Sequence, residues 1–295
     1  MAGKYLKKAS AAVRRHEQSP PGNRPTRQKK PPHPGGRSVI WTVLTVVFAV
    51  TAIFSGWKLL STRREYQKGS ELYHALAESA LMMESKQDDA SQDQNADQTP
   101  EAKPATQVPT NVDFSLLQSI DTNTVGWIWS DGTQINYPVV HGNDNSYYLN
   151  HLIDGSYNSN GSIFVDCRNA PGFADRNTII YGHNMLNGAM FASLCEYGSA
   201  GYYEEHPTLR LITPEGSYTL EVFSGYVTPG TSDIYQLSFT DEADFLNYIQ
   251  RIRLMSDFAS DVVVTGEDRI VTLSTCAYDY DDARYVVHCK LVSGS

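Results

Sequence analysis

Three regimes of apolar and polar positions follow one another along the chain. From Ser38 to Trp57 no residue is charged, and Val, Ile, Leu, Phe, Ala and Thr dominate, with Trp41 and Trp57 near the two ends. As a helix this run crosses a hydrocarbon core of about 30 Å, and tryptophans favour the two interfaces. A cleaved signal peptide is the rival reading. The run is longer than an ordinary h-region, however, and no small-x-small site follows it before Lys58, so an uncleaved anchor over 38–60 is expected. Behind it, Leu72, Ala75, Leu76, Ala80 and Leu81 recur at helical spacing between Arg63 and Met83. Residues 84–111 then turn polar, with repeated Asp, Gln, Ala and Pro. The expectation for 61–112 is a helix followed by a flexible stalk spanning about 30 Å.

From Asp113 the pattern becomes that of a folded domain, 113–295. Asp113 is placed to cap a short helix ending at Ile120. Short β-rich runs follow at 125–129, 135–140, 161–166, 177–182, 207–213, 216–227, 261–264, 269–276 and 284–292, punctuated by Asp-Gly, Asn-Gly and Pro-Glu-Gly turns. Many short strands of this kind predict a mainly β fold, a closed barrel of about eight strands. Two helices interrupt it, Ala189 to Tyr197 and Asp241 to Ser256. The second carries Phe245, Leu246, Ile249, Ile252 and Met255 as an apolar stripe that packs onto the barrel.

Charge adds orientation to this picture. Residues 1–37 hold ten Lys or Arg against the single acid Glu17, in a Pro- and Gly-rich setting that predicts disorder. That excess, against Lys58, Arg63 and Arg64 behind the span, puts the N-terminus in the cytoplasm and the domain outside. Removing those ten bases and one acid from totals of 24 and 33 leaves 14 and 32, a net charge of −18 beyond residue 37. Nucleic acid and anionic lipid are therefore poor partners for the external part. The cysteines at 167, 195, 276 and 289 show no paired spacing in a domain large enough to need no staple, so all four are expected reduced.

The candidate chemistry begins at Val271-Thr272-Leu273-Ser274-Thr275-Cys276, a strand that ends in a thiol, and at Arg284 on the strand that comes after an acidic turn. Alternation puts Thr272, Ser274 and Cys276 on one face, and Arg284, Val286, His288 and Lys290 on one face of the returning strand. A thiol becomes a nucleophile once a base activates it, and a fixed guanidinium can hold an oxyanion. The base candidate is His183, at the end of Thr178-Ile179-Ile180-Tyr181-Gly182. His288 is its serious rival because it shares the face of Arg284, but four residues along a strand is about 13 Å. The plainer alternatives are a buried structural thiol for Cys276 and a surface ion pair with Asp279, Asp281 or Asp282 for Arg284. A calcium loop starting at Asp279 would put Ala283, Arg284 and Lys290 at positions five, six and twelve, so its ligands and glycine are missing. No Cys and His spacing resembles a zinc site, and no cofactor is expected.

Thr272 to Cys276 with Arg284 on the next strand, and Tyr181-Gly182-His183-Asn184 upstream, resemble the signature of the sortases, membrane-anchored cysteine transpeptidases. The resemblance runs over roughly 113–292, through Val125-Gly126-Trp127-Ile128, Ile135 to Val140, Tyr148-Leu149-Asn150 and Gly161 to Asp166, and is similar to class B in particular. The helix at 241–256 also resembles the insertion of that class. The resemblance implies a catalytic trio of His183, Cys276 and Arg284 in a sortase-like barrel. It also implies a groove for an Asn-Pro-x-Thr or Pro-x-Thr signal, walled by Asn145, Leu149, Tyr181, Ile234, Tyr235 and Ser274. Ala277 departs from members in which an acidic residue directly succeeds the nucleophile.

Such a trio implies a thioacyl enzyme formed at the Thr of a secreted protein's C-terminal sorting signal. The acyl group then passes to an amine of a peptidoglycan precursor or a pilin lysine. The competing functions are an anchored cysteine protease, in which water takes the acyl group, and a tethered domain that only binds a peptide. Papain-like enzymes place Cys before His, opposite to the order here, and caspase signatures are absent.

Overall fold

The computed structural model describes residues 37–85 and 107–294. The basic segment before residue 37 and most of the expected stalk lie outside the described residues. Two compact units divide at Gly56 and Trp57. Helix α1 (Arg37–Ala80) contributes to both. In the first unit its apolar side chains from Ile40 to Phe54 are exposed, and α1 is the one helix among the described residues long and apolar enough to cross a membrane.

In the second unit the last turns of α1 are buried, with Tyr73, Leu76, Ala77 and Ala80 in the main core. Tyr73 donates to Gly161 O at 2.8 Å, and Glu65 accepts from Ser159, so the helix is sewn to the domain by polar bonds as well as by packing. β1 (Leu81–Ser85) pairs antiparallel with β2 (Gln107–Val112), which gives both ends of the expected stalk a strand conformation. Asp113 then caps α2 (Phe114–Ile120), accepting from Leu116 N at 3.0 Å.

The barrel strands are β3 (Thr124–Trp129), β4 (Asn136–Val140), β5 (Ile163–Val165) and β6 (Asn177–Tyr181), then β7 (Thr208–Thr213) and β8 (Gly216–Pro229). After the short α3 (Tyr202–Glu205) between β6 and β7, and α4 (Glu242–Leu254) after β8, β9 (Ile270–Cys276) and β10 (Ala283–Ser293) complete it. Eight strands close in the order β10-β8-β7-β3-β4-β5-β6-β9. Two neighbouring pairs are parallel, β4 with β5 and β6 with β9. Parallel neighbours require long crossovers. The first crossover, 141–162, supplies one wall of the cleft that holds Cys276, and the second, 182–269, carries β7, β8 and α4.

Three expected elements differ. No strand forms at 261–264; Val262 and Val264 pack against the α4 cluster while Val263 is exposed, so the period of two comes from packing without a ladder. The helix expected from Ala189 is a 3-10 segment, Ala192–Gly198, because Met190 holds φ at 60° and cannot open a helix. On α4 the buried face is Phe245, Tyr248, Ile249 and Ile252, whereas Leu246 and Met255 of the expected stripe are exposed. Asp241 caps this helix, accepting from Asp244 N at 2.9 Å. α4 covers a second core formed with Phe223, Tyr226, Ile234 and Val286 on the outer face of the barrel.

Candidate active site

β9 and β10 run antiparallel in a register that sets Cys276 opposite Arg284, Ser274 opposite Val286 and Thr272 opposite His288. Directly opposed residues present their side chains on one face. β6 lies parallel to β9 with Tyr181 beside Ser274, and Gly182 N–H continues the pairing to Ser274 O at 3.1 Å. His183 therefore leaves β6 at the level where Cys276 ends β9. Gly182 is required by this approach, since a Cβ there would stand 2.5 Å from Ile163 Cδ1 and 2.7 Å from the Phe191 ring.

Cys276, His183 and Arg284 line one open cleft of about 230 Å³. Of the expected wall residues, Asn145, Leu149, Tyr181, Tyr235 and Ser274 line it too, and Phe164, Gly182 and Gly230 join them. Ile234 does not. Its side chain is 1% exposed and packs beneath α4, so only its neighbour Tyr235 reaches the cleft. Cys276 is half-buried and all four cysteines are free.

Each of the three groups is held by a second contact. His183 donates Nε2–H to Leu149 O at 2.6 Å, which orients the ring. Arg284 Nη2 pairs with Asp282 Oδ1 at 2.8 Å, and Nη1 donates to Ala283 O at 3.0 Å. Asp282 adopts φ 62°, and Gly230 N–H donates to its carbonyl at 2.9 Å, joining the end of β8 to the turn after Cys276. Asn184 Nδ2–H donates to Cys276 O at 2.8 Å and anchors the end of β9. Asn184 belongs to the sequence signature at His183, but the sequence alone assigns it no role.

On the Tyr181 wall a polar cluster sets the shape. Tyr181 donates to Asp166 Oδ2 at 2.9 Å, Arg168 forks onto the same carboxylate at 2.7 and 2.9 Å, and Cys167 N–H donates to Asn145 Oδ1 at 2.8 Å. Burial alone would raise the Asp166 carboxyl; the Arg168 guanidinium, a backbone N–H and the Tyr181 hydroxyl outweigh it and hold it at about 2. Across the cleft Tyr235 Oη meets Ser274 Oγ at 2.9 Å.

The rival imidazole is elsewhere. His288 is fully buried under α4, and desolvation pushes it down to about 3. Cys195 lies 3.8 Å from Cys276 O on the far side of the strand end, where burial raises its thiol to about 11.

Comparison with known proteins identifies the family and the fold. Residues 130–292 match the family model for the sortase domain. Sortase B of Listeria monocytogenes is 35% identical over 265 residues, covering 87% of this chain and 98% of its own. A Bacillus anthracis sortase B crystal structure in complex with AAEK1 superposes at a TM-score of 0.63 with 34% identity, over 78% of this chain and 99% of that one. The Staphylococcus aureus sortase B–substrate complex superposes at 0.59 with 37% identity, over 62% and 85%. Fold and sequence together define a cysteine transpeptidase of the kind that anchors proteins to the cell wall. The chain belongs to the sortase family, within its class B.

Proposed function

We propose that Cys276 is the nucleophile, His183 the general acid and base, and Arg284 the oxyanion donor of a reaction on a sorting peptide. The observation that carries this reading is the direct opposition of Cys276 and Arg284 across β9 and β10, with His183 on the same open cleft. The Cys276 thiolate attacks the Thr carbonyl of an Asn-Pro-x-Thr or Pro-x-Thr signal, and the carbonyl electrons move to oxygen, where Arg284 donates to them. The amide C–N bond breaks as His183 protonates the leaving amine, giving a thioacyl enzyme. His183 then takes the proton of an incoming amine, the C–S bond breaks, and a new amide forms. Asn145, Leu149, Tyr181, Tyr235 and Ser274 hold the peptide, while Ile234 acts only as support for Tyr235.

The basic segment 1–37 stays in the cytoplasm, 38–60 spans the membrane, and the domain works outside, with the last turns of α1 packed into its core. The acceptor is an amine of a wall precursor, with a pilin lysine as the second candidate. Mass spectrometry of the full chain in detergent, incubated with a Thr-containing signal peptide, should show an acyl adduct on Cys276 that Cys276→Ala lacks. Adding triglycine should convert the adduct to peptide–amine product. Adduct on the variant, or hydrolysed peptide alone at saturating amine, would overturn the assignment.

A further inference from the structure

A chain of buried polar groups runs from the closed end of the β9/β10 ribbon to the wall of the cleft, and its hydrogen-bond sense is set from Tyr248 to His288 Nδ1. Tyr248 on α4 donates its hydroxyl to Ile234 O at 2.8 Å. Asn177 at the start of β6 donates Nδ2–H to Gln236 O at 2.9 Å and to Tyr248 Oη at 3.3 Å, so its Oδ1 is an acceptor. Thr272 gives its one hydroxyl proton to that Oδ1 at 2.8 Å. The contact of 2.9 Å between Thr272 Oγ1 and His288 Nδ1 must then be donated by the imidazole. Nε2 is left to accept from Tyr226 Oη at 3.2 Å. Full burial favours the neutral imidazole, and with Nδ1 donating it is this that makes Nε2 the acceptor.

The two carbonyls at the end of this chain, Ile234 O and Gln236 O, flank Tyr235 on either side. The first belongs to the short turn Asp233–Tyr235 and the second follows it directly, and Arg251 of α4 pairs with Asp233 of the same turn. Tyr235 is the residue of that turn that stands in the cleft, against Ser274 and 6.1 Å from the Tyr181 ring. Buried networks whose every donor is used favour one geometry.

We infer that Asn177, Thr272, His288 and Tyr248 are positioning residues that set the place of Tyr235 in the cleft and thereby the affinity for the extended peptide. None of them touches the peptide; they act through the two carbonyls. The inference rests on the assignment of this cleft to the sorting signal.

Tyr248→Phe removes the proton donated to Ile234 O and the acceptor of one Asn177 Nδ2–H, and so cuts the chain at α4. In the full chain it should raise KM for the signal peptide about tenfold while kcat changes less than about threefold. With Tyr235→Ala already present, the same change should alter KM by less than about twofold, because coupled residues are not additive. Thr272→Ser keeps the hydroxyl and should keep KM near the parent value, where Thr272→Val raises it. A lower melting temperature with unaltered KM, or effects that add in the double variant, would reduce these residues to fold support and overturn the inference. A crystal structure of Tyr248→Phe separates this from the cleft assignment. An unmoved Asp233–Gln236 turn overturns the positioning chain whatever the cleft binds, whereas absence of any acyl adduct on wild-type Cys276 overturns the cleft assignment.

Discussion

The ribbon of β9 and β10 has two ends that share a face and differ in what lies over it. At the open end Cys276 and Arg284 oppose each other, half-buried, on a cleft that solvent enters. About 13 Å along the same strands, Thr272 and His288 oppose each other under α4 with no exposure. The residue types at the two ends are equally capable of chemistry. Hydration separates them: desolvation holds the His288 imidazole neutral and uses both its nitrogens in the core, and burial likewise raises the thiol of Cys289 next to it. His183, placed where β6 leaves the barrel, keeps its ring on the open cleft with one nitrogen on Leu149 O. A histidine and a cysteine in a sequence therefore say little until it is known which end of a ribbon they occupy.

The sharpest way to break this contrast is at the open end. On the proposed mechanism Arg284→Lys keeps the charge but replaces a planar fork by a point donor. We expect kcat/KM for the signal peptide to fall about 100-fold, the scale of losing one oxyanion donor. Single-turnover acylation measured by mass spectrometry reads this directly. A loss below about threefold would make Arg284 equivalent to any nearby cation and remove it from the mechanism.

Besides peptide affinity, the closed end predicts acid stability. An exposed histidine takes up a proton near 6.5, whereas folded His288 does so only near 3, so the unfolded chain binds more protons throughout that interval. Stability is therefore full above pH 6.5 and is lost as pH falls toward 3, by roughly 1.4 kcal/mol for each unit in which only the unfolded state is protonated. The melting temperature should decline over that window, and His288→Gln should flatten the decline. Asp166, held at about 2, adds its own loss only below its ordinary value of 3.8, so the two are separable. An equally steep profile in the variant would mean that the buried imidazole does not control acid stability.

These two ends are not equally legible in the sequence. Period-two runs bounded by Gly and Asp mark the barrel strands, and the charge-free run from Ser38 marks the apolar helix. The apolar faces are harder to read: Tyr248 takes the buried place on α4 that helical spacing gives to Leu246 and Met255, since the stripe is set by the shape of the second core. The strand expected at 261–264 shows the same limit, because alternation records burial and says nothing of a hydrogen-bonding neighbour. In the cleft, Asn145, Leu149 and Tyr235 are named through a family resemblance, and Ile234 comes with them although the turn points it inward. Asn184 and the Asp166–Tyr181 pair act across separations of 92 and 15 residues that only the closed barrel brings together. The chain of hydrogen bonds through His288 has no sequence signal at all.

The smallest expected effect tests how the open end is held at rest. The Asp282 carboxylate is 53% exposed and pairs with Arg284 at 2.8 Å, a geometry in which solvent screens most of the attraction. The ion pair also competes for the guanidinium that the proposed mechanism directs at the oxyanion. Asp282→Asn suits the left-handed φ of 62°, which Asn tolerates well, so the turn should survive. We expect kcat/KM to rise about twofold, the scale of releasing a weak surface pair, and added salt to produce the same rise in the wild type but not in the variant. A loss of tenfold or more would instead show that Asp282 holds Arg284 in place for the reaction, and the open end would then be as tightly built as the closed one.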